Sequence, residues 1–167
     1  MDGAPATPEA RALAARDARQ ALLDAHRPPT GAALVAVALN VPGPDREPPG
    51  ALALQAWALA RLVAALPGAR PVHSGGDALG PFALLEVPGA PAGVKRACAA
   101  IEAATPAARL VDLDVYGPDG APTGRAALGL PPRACLLCEA PAVECIRLRR
   151  HPPAAVLERV RALLAGV

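Results

Sequence analysis

Two clusters of residues carry types and spacings that could do chemistry. The first is Asp112 and Asp114 within RLVDLDVYGPDG, residues 109–120. On a strand, side chains two apart point the same way, so both carboxylates share one face with Cβ atoms about 6.5–7 Å apart. Such a pair suits a divalent ion working on phosphates, which binds through one or two carboxylates while substrate oxygens and water fill its other positions. A solvated strand end is the plainer reading, since D-x-D is common. The second cluster is Cys135, Cys138, Cys145 and His151, a C-x2-C-x6-C-x5-H array. Four soft or borderline donors in so short a segment suit tetrahedral zinc in a closed, structural site. A packing turn around Leu136 and Leu137 and a redox C-x-x-C remain as alternatives.

Arginines accompany both clusters. Arg133 precedes the cysteines and Arg147, Arg149 and Arg150 follow. Guanidinium groups near a fixed turn bind phosphate bidentately. Arg16, Arg19 and Gln20 share one face of the first helix, which is otherwise a solvated basic face.

These residues need elements to position them. Thr7 and Pro8 mark a helix start, with Ala10, Leu13, Ala14, Ala18, Ala21, Leu22 and Ala25 as its apolar side. The buried strand ALVAVALNV (33–41), a Pro/Gly loop (42–50), a helix (51–66), a short strand ending in a Gly-rich turn (GGDALG), a strand (81–87), a helix within 88–105 and the Asp-bearing strand follow. On that last strand, Val111, Leu113 and Val115 face the helices and Leu110, Asp112 and Asp114 face away. PDGAPTGRAALG then folds back as a hairpin. The order βαββαβ predicts an α+β fold, one antiparallel sheet with both helices on one face. The other face is left for the first helix, the tail or a ligand. Residues 1–129 form this core and 130–167 add the Cys/His segment and a C-terminal helix from about Pro153 to Ala165, together one domain of 1–167.

Of 167 residues, 53% are apolar, enough for a core, and Trp57, Phe82 and Tyr116 are the only aromatics. A net charge of +2 argues against a nucleic-acid partner. No apolar run reaches the roughly 18 residues of a membrane span, and the first 20 residues lack a signal-peptide pattern. A cytoplasmic location with reduced cysteines is expected.

RDARQ (16–20), LNVPGP (39–44), RLVDLDVYGPDG (109–120) and LPPRACLLCEAPAVECIRLRRH (130–151) occur in this order and at these intervals. Together they resemble the apo-citrate lyase phosphoribosyl-dephospho-CoA transferases, also called holo-citrate lyase acyl-carrier-protein synthases. The resemblance implies nucleotidyl transfer: the phosphoribosyl-dephospho-CoA part of 2′-(5″-triphosphoribosyl)-3′-dephospho-CoA passes to a serine of the citrate lyase acyl-carrier subunit, and pyrophosphate leaves. On this reading Asp112 and Asp114 hold Mg²⁺ against the triphosphate. Arg16, Arg19 and Arg133 contact phosphates, with Arg147 and Arg149 behind them, and Gln20 and Asn40 orient sugar or phosphate oxygens. Arg46 stands nearest to where the family offers a loop lysine. Thr105–Ala108 replaces the family's His-Pro-Leu-Gly, which excludes a catalytic histidine before Arg109; Asp112, Asp114 or Asp17 could serve as base. A zinc-stabilised carrier-binding module without chemistry, or a transferase for another acyl-carrier protein, is the alternative.

Overall fold

The structure, a computed structural model, describes residues 7–167. The signal-peptide reading falls partly on residues 1–6, outside the described residues. Five helices and four strands follow in the order α1 (Pro8–Ala25), β1 (Ala32–Leu39), α2 (Ala51–Ala65), β2 (Arg70–Asp77), β3 (Gly80–Pro88), α3 (Pro91–Glu102), β4 (Val111–Tyr116), α4 (Ala142–Arg147) and α5 (Pro153–Leu164). The strands form one sheet in the order β2-β3-β1-β4, every neighbouring pair antiparallel. Two βαβ units interleave: β3 lies between β1 and β2, and β1 between β3 and β4. The fold is α+β.

β1 is central and buried along nearly its whole length, which explains its unbroken apolar run. Ala33, Val35, Val37 and Leu39 turn to one face with Leu85, Val87, Val111, Leu113 and Val115. Leu54, Ala58 and Leu62 of α2 and Val94, Cys98 and Ile101 of α3 cover them, and Val160, Leu163 and Leu164 of α5 join the same core. Cys98, sealed there, has its thiol pushed up to about 12 by burial. The opposite face carries a smaller cluster, Leu34, Ala36, Phe82 and Leu84, covered by Leu22 and Leu23 of α1. The first helix therefore takes the second face.

Thr7 caps α1 by accepting the Ala10 N–H at 3.2 Å, as its sequence predicts. Its inward side differs from the expected one. Ala15 is buried, Ala12, Arg19, Leu22 and Leu23 are half-buried, and Leu13 is exposed. Arg19 faces inward because its charge is met there: the guanidinium sits 4.3 Å from the Phe82 ring centroid, pairs with Asp77 at 2.7 Å and donates to the Gly80 carbonyl at 2.9 Å.

Two further expectations are corrected. Gly75 and Gly76 belong to β2, which pairs with β3 up to Asp77–Gly80 with an irregularity between Pro71 and His73; on an edge strand, Pro and a bulge are tolerated and blunt the edge. Leu110 closes a 3₁₀ turn (Ala107–Leu110) and is fully buried in the main core, so it does not share the face of Asp112 and Asp114. As expected, the chain folds back after β4 in a short hairpin: the Tyr116–Pro122 bridge is flanked by bonds from Gly117 N–H to the Ala121 carbonyl at 3.0 Å and from Thr123 N–H to the Val115 carbonyl at 2.7 Å, before a second 3₁₀ turn at Ala126–Leu128. No helix among the described residues is long and apolar enough to cross a membrane.

Candidate functional site

β4 is an edge strand. Asp112 lies opposite Ala38 and Asp114 opposite Ala36 on the α1 face of the sheet. Small alanines there keep the floor low, and both carboxylates remain open to solvent. Atoms crowding Asp114 push its carboxyl above the ordinary carboxylate range, and the like charge of Asp112 adds to this. Tyr116, next along the same face, is raised by burial and then by the two aspartates. Among the described residues Asp114 makes no hydrogen bond, while one oxygen of Asp112 meets Arg133 at 3.2 Å.

Arg133 is the hinge of the site. Its second terminal nitrogen lies 3.3 Å from Glu102 and also donates to the Val111 carbonyl. Glu102, at the end of α3, is buried; it accepts the Leu113 N–H at 2.9 Å and pairs with Arg125. Lys95, seven residues earlier on α3 and also buried, donates to the Leu113 carbonyl at 2.6 Å. Both outward backbone groups of Leu113 are thus satisfied by α3 side chains, which closes the β4 edge to other strands. Lys95, Glu102, Arg125 and Arg109 were not among the sequence candidates. The signal available was two charges interrupting the apolar side that Val94, Cys98 and Ile101 define.

The Cys/His array closes. The donor atoms of Cys135, Cys138, Cys145 and His151 all lie within 4.8 Å of one another. Cys138 Sγ is 3.5 Å from Cys145 Sγ and 3.4 Å from His151 Nε2. Tetrahedral zinc with bonds of about 2.0–2.3 Å separates its ligands by about 3.5–3.8 Å, so the donor set can bind a metal such as zinc. Local backbone bonds build the loop: Cys135 N–H to the Ala140 carbonyl and Ala142 N–H to the Arg133 carbonyl, both 2.8 Å, and Leu137 N–H to Cys135 Sγ at 3.4 Å. Arg109 donates to the Cys135 carbonyl. Leu136 packs half-buried on the main core while Leu137 is exposed, so a packing turn buried by both leucines is not formed. α4, between Cys138 and His151, had no counterpart in the sequence reading.

Several other sequence candidates gather at the end of the sheet where β1 finishes and β4 begins. Asn40 is exposed and its N–H donates to the Leu110 carbonyl at 2.7 Å. Arg46 is exposed and reaches the Val41 carbonyl at 2.6 Å. Its backbone rests against Gly80, where a Cβ would stand 2.6 Å from the Arg46 carbonyl oxygen, and Gly80 has φ +100°; only glycine lets the 42–50 loop lie down there. Arg16 and Gln20 are exposed on α1, and Arg27, just past the end of that helix, donates to the Asp119 carbonyl beyond β4 at 3.0 Å. Gln20 also bonds Asp24 at 3.3 Å. Arg19, by contrast, is engaged with Asp77 and Phe82. Arg147 is exposed at the end of α4, and Arg149 lines a cavity beside Asn40.

Against this geometry, residues 10–166 match the family model described as apo-citrate lyase phosphoribosyl-dephospho-CoA transferase. The chain belongs to this family. It is similar to relatives of that name from Escherichia coli O139:H28 (strain E24377A / ETEC) and Shigella boydii serotype 18 (strain CDC 3083-94 / BS512). Each is 38% identical over 91 residues, 54% of this chain and 50% of the relative. The chain spans about half the length of the curated relatives it matches.

Proposed function

We propose that the protein transfers the phosphoribosyl-dephospho-CoA group from 2′-(5″-triphosphoribosyl)-3′-dephospho-CoA to a serine hydroxyl of the citrate lyase acyl-carrier subunit. The observation supporting this reading most is the open acidic pair of β4, tied through Arg133 to the Cys/His segment, in a chain of this family. The serine oxygen forms a bond to the α-phosphorus of the triphosphate. The bond from that phosphorus to the bridging oxygen breaks, and pyrophosphate leaves with the electron pair. The serine proton passes to a carboxylate base, drawn from Asp17 and whichever oxygen of the acidic pair the metal leaves free.

Magnesium fits the donor set, because two exposed carboxylates repel each other there and Asp114 has no competing cation in contact. Asp112 and Asp114 would hold it, and when bound it supplies charge neutralisation on the polyphosphate. Arg133 holds Asp112 in place and offers guanidinium charge beside it. Arg16 and Gln20 of α1 bind phosphate or sugar oxygens, and Arg46 and Asn40 do so from the sheet end. Arg147 adds to the positive surroundings, whereas the charge of Arg19 is taken up by Asp77. Cys135, Cys138, Cys145 and His151 would hold structural zinc, which would keep Arg133 in register with β4. The reaction is cytoplasmic, within a single domain of 1–167, with neither nucleic acid nor membrane as a partner.

The test mixes the protein with apo carrier subunit, the triphosphoribosyl precursor and Mg²⁺, and follows intact carrier mass and pyrophosphate. A gain equal to the phosphoribosyl-dephospho-CoA group on one serine, with stoichiometric pyrophosphate, is expected. An unmodified carrier that nevertheless binds the protein would replace the transferase with a carrier-binding module. Modification of a different carrier protein alone would redirect the assignment.

A further inference from the structure

A cavity of about 680 Å³ opens beside the acidic site. Asn40 and Cys135 line the cavity, and about 7 Å of backbone leads from Cys135 to Arg133, whose guanidinium meets Asp112 at 3.2 Å. Its walls are largely apolar, with Pro42, Leu136, Leu137, Ile146, Val156 and Leu157 from the 40–43 loop, the knuckle and α5. Arg149 and Arg150 line it too, and neither guanidinium makes an ion pair among the described residues.

Arg149 also stands out by its backbone. It is the one non-glycine residue with positive φ, +45°, among the described residues. It follows α4 where the chain turns left-handed and the Arg150 N–H returns to the Cys145 carbonyl at 3.0 Å. Glycine or asparagine commonly fills such a position, and another residue costs about 1 kcal/mol. The fold would be served better by glycine. An arginine held there points to a task for its charge at the cavity.

We propose that this cavity binds the 3′-dephospho-CoA portion of the substrate, with the pantetheine arm along the apolar wall and the diphosphate on Arg149 and Arg150. This rests on the transferase reading. The chemistry matches: a long, weakly polar arm ends in a dianionic diphosphate, and an apolar trough ends in two unpaired guanidiniums. The arrangement leaves the triphosphate end of the same molecule free to reach Asp112 and Asp114.

The test is calorimetric titration of the zinc-loaded protein with 3′-dephospho-CoA itself, without triphosphoribosyl group or Mg²⁺, and with ADP and pantetheine as separate probes. Wild type should bind 3′-dephospho-CoA at one site, more tightly than either fragment. Arg149→Gly should raise Kd about tenfold or more, the loss of a charge-assisted contact, while its melting temperature stays level or rises because glycine adopts the turn freely. Val156→Phe, which fills the trough, should weaken binding of pantetheine as well as of the whole molecule. Unchanged Kd in both variants, or no binding by wild type, overturns the assignment. So does a result in which these variants lose only the apo carrier, since the cavity would then be a protein-docking groove. Carrier modification by wild type alongside unchanged Kd in the variants removes this inference and leaves the transferase; the expected binding pattern without any carrier modification does the opposite.

Discussion

Asp114→Asn separates what the acidic pair does for the reaction from what it does to the fold. Two like charges about 7 Å apart repel by about 0.6 kcal/mol at the dielectric of water and about 2.4 kcal/mol at that of a protein surface. Exposure and salt reduce this to about 0.5 kcal/mol. The carboxyl of Asp114 is raised above its unfolded value, so its cost to stability is absent below the unfolded pKa. The cost enters as pH rises through that value and is complete above the folded pKa. The amide variant should therefore match wild type in acid and exceed it at pH 7, melting about 1–2 °C higher in a chain of this size. Adding Mg²⁺ with the triphosphoribosyl precursor should reverse the order, raising wild type and not the variant. Transfer should fall about 100-fold or more, as expected when transition-state charge stabilisation of about 3 kcal/mol is lost. The assays are thermal melts across pH and the carrier mass shift. A variant no more stable at neutral pH that transfers at the wild-type rate would refute the reasoning.

Purified protein should carry about one zinc per chain by elemental analysis, and Cys138→Ser should lose it together with carrier modification, because the loop that holds Arg133 against Asp112 is released; a metal-free protein of full stability would remove the knuckle. Glu102→Ala should cost about 3 kcal/mol or more in chemical denaturation, since it strands the buried Leu113 N–H and uncouples two arginines, and it should promote association through the opened β4 edge, measured by light scattering; a monomeric variant of native stability would contradict the edge-capping role.

The parts that followed from sequence were those written in strong local rules. Thr7-Pro8 marks the start of α1, and the β1 run and the α2 period leave little choice. The alternation of Val111, Leu113 and Val115 against Asp112 and Asp114 placed the carboxylates on one face, and the Cys/His spacing predicted a cluster that the structure closes. The misplaced parts depended on tertiary partners. α1 is so rich in alanine that its faces look alike; the inward one is chosen by Phe82 and Asp77, which capture Arg19. Leu110 reads as strand by alternation, yet the 3₁₀ turn carries it into the core. Gly75 and Gly76 read as a turn, whereas edge-strand pairing with β3 keeps them extended. α4, six residues long, is too short for a helical period to register. Lys95 and Glu102 could have been noticed as charges on an apolar helix face, but their partner is the backbone of β4, which only the fold brings near.

The central claim is that Asp112 and Asp114 together grip a divalent cation as the polyphosphate arrives. Its most direct test is Mn²⁺ binding, followed by electron paramagnetic resonance on zinc-loaded protein with the triphosphoribosyl precursor present. One protein-bound Mn²⁺ per chain is expected in wild type, and loss of that signal in both Asp112→Asn and Asp114→Asn. A bound-metal signal unaltered in the two variants would contradict the account.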